Sequence, residues 1–438
     1  MGPLWQFLYS VVVIPFLWAV LHLLAFTNAK VRRGIAGRRG LLEDLARRTA
    51  ALPPGKRVWF HSSSMGEFEQ AKPIIASLRQ TAPGVRIIVS FFSPSGYEHS
   101  RKYPHADIIC YLPLDTRRSA RRFLDAVRPD AAVFIRYDVW PNHIWELRRR
   151  GIPTLIASAT MRRQTERRAP VVRSFHHHVY NAIDEILTVS RLDLEAFGFF
   201  RLTHPRMETI GDTRFDQVML RSAEARKHTT LPPAVTAGKK ILVVGSSWPE
   251  DEAVLLPALV RLTGEMPDLL TVLVPHEPTE THLEELEREL NGSLTHLRFS
   301  ELGEYNGEQV VVVDSIGVLL RLYAHAHVAY IGGSFRQGIH NVLEAAVYGV
   351  PVLFGPKHRN SQEPLQLAER GGAFVVTDDR ELERALRSLL GNEAARARAG
   401  TAAAAFVAAN TGATARFLAR LAPRLGLAHP APVVPEKH

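Results

Sequence analysis

Short apolar runs alternate with stretches of helical period along most of this chain, the pattern of parallel strands covered by helices on both faces. In the first half the strand-like runs are Val58–His61, Val85–Phe91, Ile108–Leu112, Ala131–Ile135, Thr154–Ala157 and Glu185–Val189. Helical stretches, among them Glu67–Gln80 and Arg117–Val127, separate them. The alternation pauses between Asp216 and Lys239, where charge, Ala and the pair Pro232 and Pro233 read as a linker. It restarts with Ile241–Gly245, Leu270–Pro275, Val310–Asp314, Val328–Ile331, Val352–Phe354 and Phe374–Val376. The prediction is two doubly wound α/β domains with a cleft between them, and ligands at the carboxyl ends of the strands that face it. Ala-rich Ala394–Leu421 predicts one or two C-terminal helices, and the Pro-rich tail 428–438 predicts disorder.

One segment lies outside this alternation. Leu4–Phe26 is almost unbroken apolar sequence without Lys, Arg, Asp or Glu, and carries Trp5, Tyr9 and Trp18. At roughly 1.5 Å per residue it is long enough to cross or deeply enter a bilayer. Lys30, Arg32, Arg33, Arg38 and Arg39 follow at once, so the positive-inside rule keeps everything downstream in the cytoplasm. A cleaved signal peptide is the rival reading, with Thr27 and Ala29 as small residues near a cleavage point. It lacks a basic leading region and would have to export a basic flank. An uncleaved anchor or an interfacial helix fits better.

The chain has 438 residues, 46% hydrophobic and 22% charged, which suits a globular protein with two or three cores. Cys110 is the single cysteine and forms no internal disulfide, so nothing signals an oxidising compartment. The formal charge of +10 is concentrated: between Arg101 and Arg173 stand 16 Lys or Arg against 7 Asp or Glu. Basic surface suits nucleic acid, anionic lipid headgroups or a phosphorylated substrate. No nucleic-acid-binding module is apparent, so no nucleic-acid partner is expected.

The densest stretch is Tyr330–Pro356, YIGGSFRQGIHNVLEAAVYGVPVLFGP. A buried strand runs into Gly332, Gly333 and Ser334, Gly338 permits close approach to a ligand, and a helix is expected from near Asn341. Unpaired N–H groups in its first turn, with the helix dipole, favour a phosphate, and Glu344 on the same face is placed to accept ribose hydroxyls. An ordinary turn with a helix cap is the plainer reading of the same residues.

In the first domain, His61-Ser-Ser-Ser-Met-Gly66-Glu67 closes the opening strand. Glu67 there is either a helix-capping group or a carboxylate that takes a proton from an attacking hydroxyl, with Gly66 leaving room for the substrate. His61 and Ser64 read as loop-shaping, since no Ser/His/Asp set shows in order or spacing. Three further strand ends of the second domain converge on one rim: Gly245-Ser-Ser-Trp248-Pro249-Glu250, Leu273-Val-Pro-His276-Glu277-Pro278 and Asp314-Ser-Ile-Gly317. The run His176, His177 and His178 does not make a metal site, because consecutive helical residues point about 100° apart. No acidic pair suited to a metal-bound nucleotide stands at a strand end, so no metal is expected.

Taken in order, these motifs resemble the Kdo transferases, which move 3-deoxy-manno-octulosonic acid (Kdo) from CMP-Kdo onto the lipid A precursor. The resemblance runs nearly end to end. It rests on NAKVRRGIAGRRG at Asn28–Gly40, HSSSMGE at His61–Glu67, DVWPN at Asp138–Asn142, GDTRFD at Gly211–Asp216, LVPHEP at Leu273–Pro278, DSIG at Asp314–Gly317, and GGS, GIHNVLEAA and PVLFGP in the glycine-rich stretch.

The resemblance implies the two-domain GT-B glycosyltransferase fold, no metal, and donor CMP-Kdo. It implies a lipid A precursor (lipid IVA) as acceptor, at an anionic inner-membrane surface. The implied domains are an anchor at 1–28, an acceptor domain at 29–220, a linker at 221–238, a CMP-sugar domain at 239–400, a helical segment at 401–427 and a tail. Glu67 matches the general base, and Asp138 and Arg214 match positions that support the transition state. The CMP positions are His276 and Glu277, Ile316, Gly317 and Val318, then Asn341, Val342, Leu343 and Glu344, beside Gly333 and Ser334. This chain departs from the family at several of them. The family commonly has Arg-His at 276 and 277, an acidic residue at 318, Glu at 138 and Lys at 214. Rival readings are another GT-B enzyme, such as a polyprenyl-lipid glycosyltransferase or a sugar-nucleotide epimerase, and a catalytically inactive nucleotide-binding membrane protein.

Overall fold

The structure, a computed structural model, describes residues 2–161, 167, 169–359 and 361–427. The tail read as disordered, 428–438, lies outside them. The chain divides into two compact units, one formed by residues up to Gln217 with those from Thr411 onward, the other by Val218–Asn410.

Each unit is built on a seven-stranded sheet with parallel pairing throughout. In the first, β1 (Arg57–Ser62), β2 (Arg86–Phe91), β3 (Ile108–Tyr111), β4 (Ala131–Ile135), β5 (Thr154–Ala159), β6 (Glu185–Thr188) and β7 (Arg206–Thr209) lie in the order β3-β2-β1-β4-β5-β6-β7. In the second, β8 (Lys240–Ser247), β9 (Leu269–Pro275), β10 (His296–Arg298), β11 (Val310–Val312), β12 (Val328–Ile331), β13 (Val352–Phe354) and β14 (Ala373–Val375) lie in the order β10-β11-β9-β8-β12-β13-β14. The central strands are buried on both faces, which is why they read as continuous apolar runs. In both sheets the strand order reverses beside the opening strand. The switch lies between β1 and β4 in one unit and between β8 and β12 in the other, and open α/β sheets bind ligands at such a point.

The segment read as a linker from Asp216 is helical through Ala225, in the helix Thr213–Ala225. At the other end, the Ala-rich stretch forms two helices with different allegiances. Glu393–Ala409 belongs to the second unit. Ala413–Leu421 buries Phe417, Leu418 and Leu421 in the core of the first. Asp216 accepts the N–H groups of Gly412 (2.6 Å) and Thr414 (2.7 Å) where the chain returns.

Glu185, buried on β6, is met by Arg420 at 2.7 Å and Arg424 at 2.9 Å. Removing both guanidiniums strands a buried carboxylate, which costs about 3 kcal/mol. The double variant Arg420→Ala/Arg424→Ala is therefore expected to lower the melting temperature of the first unit by roughly 6–12 °C in calorimetry. An unchanged transition would show that Glu185 finds other compensation.

Residues Gly2–Thr27 form one helix of 26 residues, long and apolar enough to cross a membrane. Its inner edge is docked on the first unit: Trp5 Nε1–H donates to Ser174 (3.2 Å), Tyr9 O–H to buried Asp115 (2.9 Å) and Ser10 O–H to Asn142 (3.1 Å). Its outer edge, including Leu4, Phe7, Val11, Phe16, Leu23 and Phe26, is exposed. The basic segment that follows is tied down by Arg38, which donates to the carbonyls of Leu112 (2.8 Å), Gly34 (2.7 Å) and Phe92 (2.7 Å).

Candidate active site

At the switch point of the first sheet, β1 runs into the loop Ser62–Ser64 and the helix Met65–Thr81. This brings Glu67 into the helix's first turn. Glu67 is 7% exposed, and its Oε2 accepts the N–H of Ser63 at 2.6 Å. It therefore serves as a loop clasp, the structural role that the sequence left open. Its chemistry exceeds that role. Burial pushes its pKa up to about 7, and the charge of Asp138 adds to the rise, while the Ser63 N–H and Arg136 oppose it. A Cβ built on neighbouring Gly66 meets nothing within 4 Å, so the approach beside Glu67 is open.

Asp138 follows β4, the strand on the other side of the switch. His61 Nε2 lies 3.0 Å from its Oδ2, and Trp140 Nε1–H donates to the same oxygen at 3.3 Å. Burial pushes Asp138 up, yet the hydrogen bond and charge of His61, with the bonds from Trp140 and Ser63, hold it below the usual carboxylate range. His61 is fully buried, with Nδ1 2.9 Å from Ser90 Oγ, and Ser90 Oγ accepts the Trp59 indole N–H at 2.8 Å. Trp140 Nε1–H also points at His61 Nε2, at 3.1 Å, so Asp138, His61, Trp140 and Ser90 form one hydrogen-bonded network. Two adjacent carboxylates thus carry opposite settings: Asp138 stays ionised and Glu67 titrates near neutrality. Such divergence marks acid–base sites.

Arg136, absent from the sequence reading, adds a third charge. It holds a left-handed backbone (φ 64°) between β4 and Asp138, and its Nε is buried without a hydrogen-bond partner among the described residues. A non-glycine residue in this conformation is strained, and such strain gathers at functional sites.

Arg214 stands at the start of the helix Thr213–Ala225. Asp212 grips it through Nε (2.9 Å) and a terminal guanidinium nitrogen (2.7 Å). Thr213 beside it donates to the carbonyl of Gln70 (2.7 Å), one turn beyond Glu67 on its helix.

In the second unit the ends of β8, β9 and β12, three adjacent strands, carry the nucleotide candidates. The loop after β12 is drawn tight. Asp251, fully buried, accepts the N–H of Gly333 (2.7 Å) and of Trp248 (3.1 Å) and the Tyr330 hydroxyl (2.9 Å). Gly333 has φ 89°, and a Cβ on Gly332 would stand 2.2 Å from the Ser246 carbonyl oxygen. Ser334, expected to face a ligand, instead accepts the Gly355 N–H at 2.6 Å and is wholly buried.

The helix expected from Asn341 is a single turn, Leu343–Ala346, capped by Asn341 Oδ1 accepting the Leu343 N–H (3.1 Å). A left-handed Gly349 (φ 73°) ahead of Pro351 stops it early. So short a helix has little macrodipole, and any phosphate contact here falls to individual N–H groups. The side chains of Val342 and Leu343 are core, which restricts them to backbone contacts. Glu344 lies 3.3 Å from Arg221. Ile316 and Gly317 are exposed on the loop after β11, and Val318 begins the turn Leu319–Leu322.

His276 and Glu277 are exposed beyond β9. The His276 ring stacks on His340 at 4.3 Å and packs against Trp248 at 4.6 Å, and the Arg336 guanidinium covers Trp248 at 3.9 Å. Trp248 N–H donates to His340 Nε2 at 3.0 Å, which puts the His340 proton on Nδ1. Burial, with the charge of His276, lowers the His340 pKa to about 4 and keeps it neutral. This ladder of planar groups, in which Arg336 and His340 went unread in the sequence, suits stacking on a base. Among the described residues no group of three or more His, Cys, Asp or Glu is placed to hold a metal ion. His176, His177 and His178 accordingly diverge, each with Nδ1 on a different backbone carbonyl.

Residues 33–217 match the family described as 3-deoxy-D-manno-octulosonic-acid transferase (kdotransferase). The 3-deoxy-D-manno-octulosonic acid transferase of Haemophilus influenzae is 26% identical over 430 residues, covering 96% of this chain and 99% of that protein. The chain is thus similar to Kdo transferases nearly from end to end. The enzyme of that name from Chlamydophila psittaci is 27% identical over 351 residues, 78% of this chain and 79% of its own. Among solved structures, UDP-GlcNAc 2-epimerase from Neisseria meningitidis bound to UDP-GlcNAc aligns with TM-score 0.59 and 14% identity, over 83% of this chain and 99% of the epimerase. That likeness speaks for fold alone: two Rossmann-like domains arranged as in the GT-B class.

Proposed function

We propose that this enzyme transfers Kdo from CMP-Kdo to a lipid A precursor, lipid IVA, with inversion and without a metal. The observation that carries the reading is the pairing of Glu67, poised near neutrality, with an ionised Asp138 at the first switch point. A glucosamine hydroxyl of the lipid attacks the anomeric carbon of Kdo. Its proton passes to Glu67 as the new C–O bond forms, and the bond to the CMP phosphate breaks. Charge on the departing phosphate is met by N–H groups of the loops after β8 and β12. Arg214 supports the transition state from the first unit. The base stacks on the Trp248–His276 ladder, which takes over from the family's Arg-His pair. Glu277, Ile316, Gly317, Val318 and Asn341 offer backbone or polar contacts to the same nucleotide, and Glu344 contacts its ribose once Arg221 shares it.

The reading places the enzyme on the cytoplasmic face of the inner membrane. The N-terminal helix then lies in the interface, because its inner edge is held by Asp115, Asn142 and Ser174 while its outer edge presents only apolar side chains.

The test is incubation of full-length protein in mixed micelles with CMP-Kdo and lipid IVA, reading added Kdo masses on the lipid by mass spectrometry. No mass gain would refute it. The same assay across pH probes the base. Glu67 must be ionised to act, so kcat/KM is expected to fall tenfold per unit below about pH 7 and to level above it. Asp138→Asn removes a negative neighbour and moves that limb to lower pH. A limb that stays in place would dissociate Asp138 from the titration.

A further inference from the structure

Beside the start of the N-terminal helix the first unit has a groove of about 560 Å³, whose lining includes neither Glu67 nor Asp138. Arg117 and Arg121 line it from one helix, Arg148 and Arg149 from another, and Gln6 of the N-terminal helix forms its rim. Glu146 is the one acidic side chain among the lining residues, and it is oversubscribed. Arg149 (2.9 Å) and Arg150 (2.8 Å) donate to it and Arg121 approaches to 3.7 Å, so a single carboxylate faces three guanidiniums. Arg117 has no ion pair among the described residues. Arg148 is shared with Asp184 (3.3 Å) and Arg150 with Asp125 (2.8 Å), so Arg117 and Arg121 are the least engaged donors of a concave, cationic site.

Its setting selects the anion. Leu4 and Phe7, 57% and 55% exposed, flank Gln6 on the same helix and have no protein cover. An anion held here by a molecule with an apolar tail would lay that tail along the exposed helix face. At the far end of this uncharged helix stand exposed Lys30, Arg32 and Arg33. Cations thus bracket both ends of an apolar ribbon that is docked sideways on the domain. That layout matches a headgroup in the groove with its acyl chains along the ribbon, and leaves the far cations, exposed and outside any groove, to the bilayer surface at large.

We infer that the groove of Arg117, Arg121, Arg148 and Arg149 binds the phosphate headgroup of an anionic membrane lipid, at a site separate from the transfer chemistry. The lipid fixes the position of the domain on the bilayer surface, and its occupancy is independent of donor and acceptor.

The experiment is native mass spectrometry of the full-length protein in neutral detergent, with phosphatidylglycerol or phosphatidylcholine added. The wild type is expected to retain phosphatidylglycerol and release phosphatidylcholine. Arg117→Gln/Arg121→Gln is expected to weaken retention on the order of tenfold or more, while the matched charge loss Lys30→Gln/Arg32→Gln leaves it unchanged. Gln6→Glu, which puts a carboxylate on the rim, gives the same loss without touching an arginine and decides the matter if the double variant does not fold. Equal weakening by the two double variants would reduce the effect to general surface charge and overturn the site. So would equal retention of both lipids, or full displacement by inorganic phosphate at concentrations comparable to the lipid. Kdo transfer is not the readout, so failure of the assigned reaction leaves this result standing.

Discussion

Glu67→Gln lowers kcat for Kdo transfer by 10²- to 10⁴-fold, the range that a positioned general base contributes, while affinity for CMP stays within twofold of the wild type, roughly. The amide is chosen because its oxygen can still accept the Ser63 N–H, so the loop that closes β1 keeps its clasp and only the proton acceptor is lost. Alanine would remove both functions together. Single-turnover transfer with saturating donor isolates the chemical step, and calorimetric titration with CMP checks the nucleotide site. Turnover within threefold or so of wild type would shift the role to Asp138. Asp138 is the weaker candidate, since a carboxylate held well ionised by His61 and Trp140 has little drive to take a proton.

The second large effect belongs to Gly332→Ala, expected to reduce kcat/KM for the donor by about a hundredfold. A Cβ at this position would stand 2.2 Å from the Ser246 oxygen and 2.8 Å from its carbonyl carbon, which is main chain and has no side-chain freedom to yield. Ser246 itself holds a left-handed conformation (φ 56°), so the β8 loop is strained before the substitution. The ends of β8 and β12 must part, and the N–H groups proposed to meet the donor phosphate move with them. Because the displaced atoms belong to the proposed nucleotide site, KM for the donor is expected to rise and CMP affinity to fall together. A variant with normal CMP affinity would show that these two loops do not hold the nucleotide. The two substitutions separate the two halves of the reaction, one sparing the nucleotide and the other sparing the base.

What could be read ahead of the structure follows from how each feature is encoded. The central strands were legible because burial on both faces demands uninterrupted apolar residues. Edge strands β7 (RMET) and β10 (HLR) are short, polar and half exposed, and leave no such trace. The helix expected at Asn341 failed for a local reason, since the apolar spacing of NVLEAAVYG fits a helix that Gly349 and Pro351 then cut short.

In the site, Glu67 was legible as a carboxylate at a strand end. Its relation to Asp138 was not, because that rests on strands β1 and β4 becoming neighbours. His61 and Asp138 meet across a separation of 77 residues, and Trp248 and His340 across 92, distances that no local pattern spans. Arg136 escaped for another reason: a left-handed backbone at an arginine has no sequence signature.

The return of the chain at Thr411 imposes an order on the protein's own birth. The unit Val218–Asn410 is contiguous and can close as it leaves the ribosome, whereas the unit that carries Glu67 begins first and finishes last. Until Phe417, Leu418 and Leu421 emerge, its core is open along the helix Met65–Thr81, and Glu185 waits uncompensated for Arg420 and Arg424. The unit that carries Glu67 and Asp138 is thus the last to mature, and a message cut short near its end yields Val218–Asn410 in good order with a first unit whose core never closes.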